Sequence, residues 1–395
     1  MSARALPGNR VELYLAGIIA MAIESMNLKM SKVENHNQLI AAYLLTLLDG
    51  IGKRKAYRIW HEADLKEQYM NCFDRNFKTL PDWAKGLKTS DFIDSKNLSE
   101  NIINEHINNQ CNVLLIGSDY YPSALSQVVD APLVLFSKGN VQQYNDKNIA
   151  VVGTRTPSSY GRDNAILSAR YFAEHNINVV SGYAYGIDIE AHKAAISVGG
   201  TTTAVLGSGL GNLYPKQHQK YAEQIMEQGS FLSELPYNAL PDRMNFPSRN
   251  RLVAAMSSAT LVVESKVKGG SLITAKLAFD YNKEVFVYPG EINDENYTGN
   301  HALIQRQMAQ LATSPKYILE QLGWNSEAKS MSHKPIEVAK HLNAVYKSVL
   351  NSPKIDIHQL AELHDEPIGN LQLKLTELEL MGAIVSLPGN SFRAK

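Results

Sequence analysis

The chain has 395 residues, 39 lysines and arginines against 39 aspartates and glutamates, and 44% hydrophobic content. That length allows two or three domains, and that hydrophobic content excludes a chain disordered throughout. The net charge of zero excludes an overall field that draws the protein onto nucleic acid or membrane, so an anionic partner has to meet a local basic patch. The first predicted element is the apolar run Leu13–Ile23, preceded by Arg4 and Arg10. It mimics a secretory signal, but it abuts Glu12 and is too short to span a bilayer. Met26 and Met30 are alternative starts, so residues 1–34 are expected to be an extension outside the fold.

Residues 35–105 read as a small helical domain. Its sharpest stretch is Leu47-Leu48-Asp49-Gly50-Ile51-Gly52-Lys53-Arg54-Lys55-Ala56. This resembles a helix-hairpin-helix, in which a glycine turn brings backbone N–H groups close to a phosphate and the following charges add non-specific attraction. An ordinary helical hairpin with a solvated basic face fits the same residues. Val113–Ile116 and Leu133–Phe136 then read as two strands that extend a sheet and carry no chemistry.

From Asn148 to Leu322 strands and helices alternate. Ile149–Val152, Val179–Val180, Ala204–Leu206, Leu261–Val263 and Val285–Val287 are short, Val-rich and bounded by Gly, Ser or Pro. Such runs suit parallel strands buried on both faces, joined by right-handed crossovers into a doubly wound sheet. Ligands of such sheets bind beyond the carboxyl ends of the strands. Those ends hold Gly153, Thr154 and Arg155, then Ser181, Gly182 and Tyr185, then Lys216, and later Gly270 and Ser271 at a helix start. Ser158 or Ser159 is placed to cap the helix after the first loop. Tyr185 is a candidate to stack on a base, whereas packing is the better reading for Tyr183. Asp188 and His192 read as structural groups, and no GxSxG elbow surrounds Ser181.

The local charge that the whole chain lacks lies between Asp242 and Lys276. Arg243, Arg249, Arg251, Lys266, Lys268 and Lys276 face only Asp242 and Glu264, with Phe246 interleaved. A basic strip with an aromatic suits a groove for single-stranded nucleic acid. Arg249 and Arg251 flank Asn250 at a helix start, so their side chains diverge. One is expected to hold phosphate and the other to brace the loop against a carboxylate.

Residues 325–337 are polar and read as a linker. In residues 338–395 the segments Val338–Leu350, Ile357–His364 and Ile368–Met381 read as helices, and Ala383–Leu387 with Ser391–Arg393 as a hairpin, together a winged helix. Its third helix carries one basic residue, Lys374, against Glu377 and Glu379, which favours a protein contact or a stabilising role over DNA. Cys72 and Cys111 form neither metal-ligand spacing nor a disulfide framework, the eleven histidines include no HExxH, and no metal or cofactor is expected.

The strings VVGTRTPSSYG, VVSGYAYGID, AVLGSGLGNLYP, FPSRNRLVAA, ATLVVES with GGSLITAKLA, and EVFVYPG, in this order, resemble the DNA-processing protein A (Smf) family over most of residues 110–322. The resemblance implies a Rossmann-like sheet at 106–324, a sterile-alpha-motif-like domain at 35–105, and a cytoplasmic protein. It implies binding of single-stranded DNA and loading of the RecA recombinase during natural transformation. Arg155 matches the arginine that the family uses on DNA phosphate, and Lys216 lies where relatives can offer a lysine. The family commonly has a basic residue where this chain has Tyr185. Thr298–Ile304 resembles the last element, near which members self-associate, so a homodimer is expected. The rival reading is a nucleotide-binding or nucleotide-hydrolysing enzyme related to phosphoribohydrolases. Against it, KGGSLITAK lacks their glutamate beside the glycines, and Glu264 precedes the glycines instead.

Overall fold

The computed structural model describes residues 33–84, 86–141, 147–324, 338–352, 355–387 and 389–394. The apolar run at 13–23 and the linker at 325–337 lie outside them. The chain divides into two compact units, 1–329 and 330–395.

In the first unit, helices α1 (Val33–Leu47), α2 (Lys53–His61), α3 (Ala63–Asp74) and α4 (Thr89–Asn108) precede the sheet. They are followed by β1 (Asn112–Leu115), α5 (Ser123–Ser126), β2 (Val134–Gly139), β3 (Asn148–Val152), α6 (Ser159–Glu174), β4 (Asn178–Ser181) and α7 (Ile187–Ser197). Next come β5 (Thr202–Val205), a 3-10 turn (Lys216–Tyr221), α8 (Ala222–Gln228), β6 (Ser230–Ser233), α9 (Asn245–Met256) and β7 (Ala259–Val262). The unit ends with α10 (Ser271–Asp280), β8 (Glu284–Val287), α11 (Thr298–Gln305), β9 (Gln310–Leu311) and α12 (Pro315–Gln321).

The nine strands order as β1-β2-β6-β5-β4-β3-β7-β8-β9. From β6 to β9 all neighbours are parallel, whereas β1, β2 and β6 pair antiparallel. This is the doubly wound, mostly parallel sheet that the Val-rich runs predict. Every residue of β3, β4, β5 and β7 is buried, because helices cover both faces. Strand β6 was not among the expected strands. Its sequence, Ser-Phe-Leu-Ser, offers an apolar run of two residues, and pairing with β5 and β2 makes the strand.

The helical segment packs onto the antiparallel edge. Phe136 of β2 is stacked by the His106 ring at 3.5 Å and met edge-on by Tyr43 at 5.3 Å. Burial lowers the His106 pKa to about 4, so the ring is neutral at physiological pH. The turn before α2 does have Gly50 at φ +80°, as the hairpin reading requires. Lys53, however, does not face solvent phosphate. Its ammonium donates to Glu234 at 2.8 Å and to Ser248 at 2.9 Å, and Arg251 binds the other oxygen of Glu234. The first charge of the hairpin is therefore committed to the joint between helices and sheet. Glu234→Gln is expected to leave the buried Arg251 without its carboxylate, at a cost of about 3–5 kcal/mol. Hydrogen exchange should show residues 53–61 opening before the parallel strands do.

In the second unit, α13 (Asn343–Leu350), β10 (Ile355–Asp356), α14 (Ile357–His364), α15 (Ile368–Leu380), β11 (Ile384–Leu387) and β12 (Ser391–Ala394) enclose their own core. The three strands form an antiparallel sheet in the order β10-β12-β11. The expected helices and hairpin are present, with β10 as an added strand. Its two residues are too few to show a period.

Candidate nucleic-acid interface

The loop after β3 is held from beneath. Ser158 caps α6, accepting from the Gly161 amide, and its own amide and hydroxyl donate to Glu264. Tyr297 adds a third donor to the same carboxylate at 3.3 Å. Thr154 N–H donates to the Glu264 carbonyl at 2.8 Å, which ties the loops after β3 and β7 together. Ligands of doubly wound sheets gather where the strand order reverses, here between β3 and β7. In this chain the buried carboxylate of Glu264 already fills that anion-attracting place at the start of α6.

A small cleft lies one step over, at the carboxyl ends of β3, β4 and β5. Arg155, Gly182, Ala184, Tyr185, Tyr214, Pro215 and Phe246 line it. The Arg155 guanidinium lies 5.7 Å from the centre of the Phe246 ring, and the Arg249 guanidinium lies 5.9 Å from it. Tyr214 meets the same ring at 6.0 Å. Phe246 thus has one exposed and one buried cation within reach of its ring, an arrangement that favours a flat π-system. A side chain at Gly207 would put its Cβ 2.8 Å from Phe246, so the absence of one gives the ring its seat.

Arg249 is 5% exposed and holds two cleft loops together, donating to the carbonyls of Gly182 and Val205. Its partner charge is Asp188, which accepts from the amides of Gly182 at 3.1 Å and Ala184 at 3.4 Å. Burial dominates for both groups, raising the Asp188 pKa and lowering that of Arg249 to about 10. Gly182 lies between them. A Cβ there would come within 2.7 Å of both the Arg249 guanidinium and the Asp188 carboxylate.

The chain reverses at Tyr183, whose φ of +60° is a left-handed conformation outside glycine. The two tyrosines of the loop differ in burial, Tyr183 at 0% and Tyr185 at 37% exposed. Tyr183 is fully buried against His218 and Phe231, as its packing reading predicts. Tyr185 emerges at the cleft, where its hydroxyl donates to Gln217 Oε1 at 2.6 Å and its ring meets His218 edge-on at 5.0 Å. His192 is buried and bonded to Thr202, the structural role expected of it.

Of the expected residues, Arg155, Gly182, Tyr185 and Phe246 come together. Four expected side chains belong to the fold instead. Arg251 is 5% exposed and bound to Glu234 and to the Asp130 carbonyl, which is the bracing role. The expectation that Arg249 then holds phosphate is also corrected, since it too is buried. Ser181 donates to Val151 in the sheet, and Ser271 to Ser265. Asn250 accepts from Arg249 Nε at 3.1 Å, and Gly153 and Thr154 shape the loop. Lys216 is exposed on the turn beside Pro215. Lys268 and Gly270 are exposed beyond β7, across β3 from the cleft. Sequence reasoning missed Tyr214, Ala184, Pro215 and Gln217. Tyr214 follows β5 much as Tyr185 follows β4, and that parallel was the available signal.

Comparison with known proteins identifies the family. The family model for DNA recombination-mediator protein A matches residues 112–323, more than half of the chain. The chain belongs to this family. The Smf protein of Escherichia coli strain K12 is 37% identical over 286 residues, 70% of this chain and 76% of that protein. The crystal structure of DNA processing protein A from Streptococcus pneumoniae matches with a TM-score of 0.57 and 30% identity, covering 69% of this chain and 98% of that one. DNA processing protein A from Helicobacter pylori, solved for its single-stranded DNA binding mode, matches with a TM-score of 0.50 and 29% identity, covering 55% and 98%. The family resemblance and the Rossmann-like, mostly parallel sheet that the sequence motifs imply are thereby established. Among the described residues, no helix is long and apolar enough to cross a membrane.

Proposed function

We propose that this family member is a cytoplasmic, non-enzymatic recombination mediator that binds single-stranded DNA at the cleft beyond β3, β4 and β5 and passes it to RecA during natural transformation. The observation that carries the reading is the juxtaposition of exposed Arg155 with Phe246, Tyr214 and Tyr185. Cations that track phosphates and aromatic faces that accept any base are what sequence-tolerant binding of single strands needs. Lys216, Lys268 and the backbone around Gly270 extend the positive path on either side. A homodimer places two such clefts in one particle and raises the effective concentration of strand at each. The winged-helix reading of the second unit belongs to this proposal as a protein-contact module.

The enzymatic alternative needs a reactive carboxylate at the strand ends. Glu264 is fully buried, with three donors from Ser158 and Tyr297 engaged on it, and this favours binding over hydrolysis. The test is fluorescence anisotropy with an oligo-dT strand and the matching duplex across a salt series, with light scattering for the dimer. The strand should bind tighter, with log affinity falling by about 0.7 per phosphate contact per unit of log salt. Equal affinity for the duplex, or base release from a nucleotide above that of a cleft variant, overturns the proposal.

Tyr185 separates ring from hydroxyl. Tyr185→Ala is expected to cost about 1–3 kcal/mol of strand binding with little change in salt slope. Tyr185→Phe keeps the ring but loses the anchor on Gln217, an exposed hydrogen bond worth about 0.5–1 kcal/mol. Full affinity in both variants places this side chain outside the DNA path.

A further inference from the structure

The helix α15 has two unlike sides. Leu371, Leu375 and Leu378 are fully buried in the core of the second unit. On the outer side Leu373 is 72% exposed and Leu380 is 84% exposed. Seven residues apart, these two leucines stand about 10 Å from each other along one face. Glu377 lies between them, four residues after one and three before the other. Glu379, two residues further on, is exposed on a different side of the helix, where Ser386 meets it. The only basic residue of this helix, Lys374, is bound to Glu366 at 2.7 Å and half-buried, so it does not neutralise that face. His341 and Ser386 contact the two carboxylates from flanking elements, His341 on Glu377 and Ser386 on Glu379.

We propose that this leucine–glutamate face is a docking site for an amphipathic protein helix that carries apolar anchors flanked by lysine or arginine. Exposed leucines at helical spacing gain from a partner that removes them from water, and a groove-type helix contact reads anchors at this spacing. The Glu377 carboxylate between the leucines selects its charge, and Glu379 adds negative charge at the side of the face. They repel DNA, and they oppose a second copy of the same face, in which Glu377 would meet Glu377. A cationic amphipathic helix satisfies both features at once. This inference concerns the second unit and is independent of the cleft.

The test uses the full chain and three synthetic peptides of equal length. One has leucines at helical spacing with lysines beside them, one has glutamates in place of the lysines, and one has serines in place of the leucines. Anisotropy should show binding of the leucine–lysine peptide only. Leu373→Ser with Leu380→Ser, both on exposed positions, should weaken it at least tenfold while leaving oligo-dT affinity unchanged. Glu377→Lys with Glu379→Lys should transfer the preference to the leucine–glutamate peptide. Peptide binding unchanged in the leucine variants, or equal binding of the two charged peptides, overturns the proposal. So does loss of oligo-dT binding in the leucine variants, which would make the face a DNA surface. Dissociation of a dimer in those variants would give the face to a second copy and overturn it as well.

Discussion

Arg249→Met is expected to destabilise the first unit by about 3–5 kcal/mol, the largest effect of any single change in the cleft. The substitution leaves Asp188 buried and without its cation, and removes the donor that joins the Gly182 and Val205 carbonyls. The variant also gives the pH dependence a definite sign. The carboxyl of Asp188 already has a raised pKa in the folded protein through burial, and losing Arg249 raises it further. Below the unfolded value the group is protonated in both states and carries no penalty. As pH rises toward the folded value, the unfolded chain ionises first and stability is lost. Denaturant midpoints of the variant should therefore move closer to those of the parent protein as the pH is lowered from neutrality toward that of an unperturbed aspartate. A constant gap across that range would show that Asp188 is not the group left exposed to the cost. Gly182→Ala should fall in the same class, because its methyl would enter the space between the same two groups.

Phe246→Ala is expected to give the largest loss of DNA affinity at constant fold. It removes the ring against which Arg155, Arg249 and Tyr214 are arranged. Base stacking of this kind is worth about 1–3 kcal/mol, so affinity for oligo-dT should fall about 5- to 150-fold with the salt slope nearly unchanged. Arg155→Ala makes the contrast. It should weaken binding to every sequence and flatten the slope by about one phosphate contact. If Phe246→Ala changes the slope and Arg155→Ala does not, the roles assigned to ring and cation are reversed.

Much of the family membership and the sheet was present in the sequence. Short Val-rich runs between Gly-rich loops can be satisfied only by buried parallel strands, and the loops at their carboxyl ends follow from the direction of the crossovers. Arg155, exposed in the loop after β3, and Phe246, half-buried in the first turn of α9, were singled out because each stands in a short string whose charge or aromatic character is visible without any distant partner. What the sequence could not rank was burial. Arg249 and Arg251 look alike in FPSRNRL, yet one clamps two cleft loops and the other is bound to Glu234 beside Lys53. Tyr183 and Tyr185 differ by the sign of one backbone angle. Each of these outcomes depends on a partner far along the chain, 67 residues away for the Arg249–Gly182 bond and 181 for Lys53–Glu234. Periodicity reports which face of an element avoids water, a property of neighbouring residues. Which charge is desolvated, and by whose carbonyl or carboxylate it is compensated, is fixed only when distant segments meet, and that is why the tertiary structure decided the cleft.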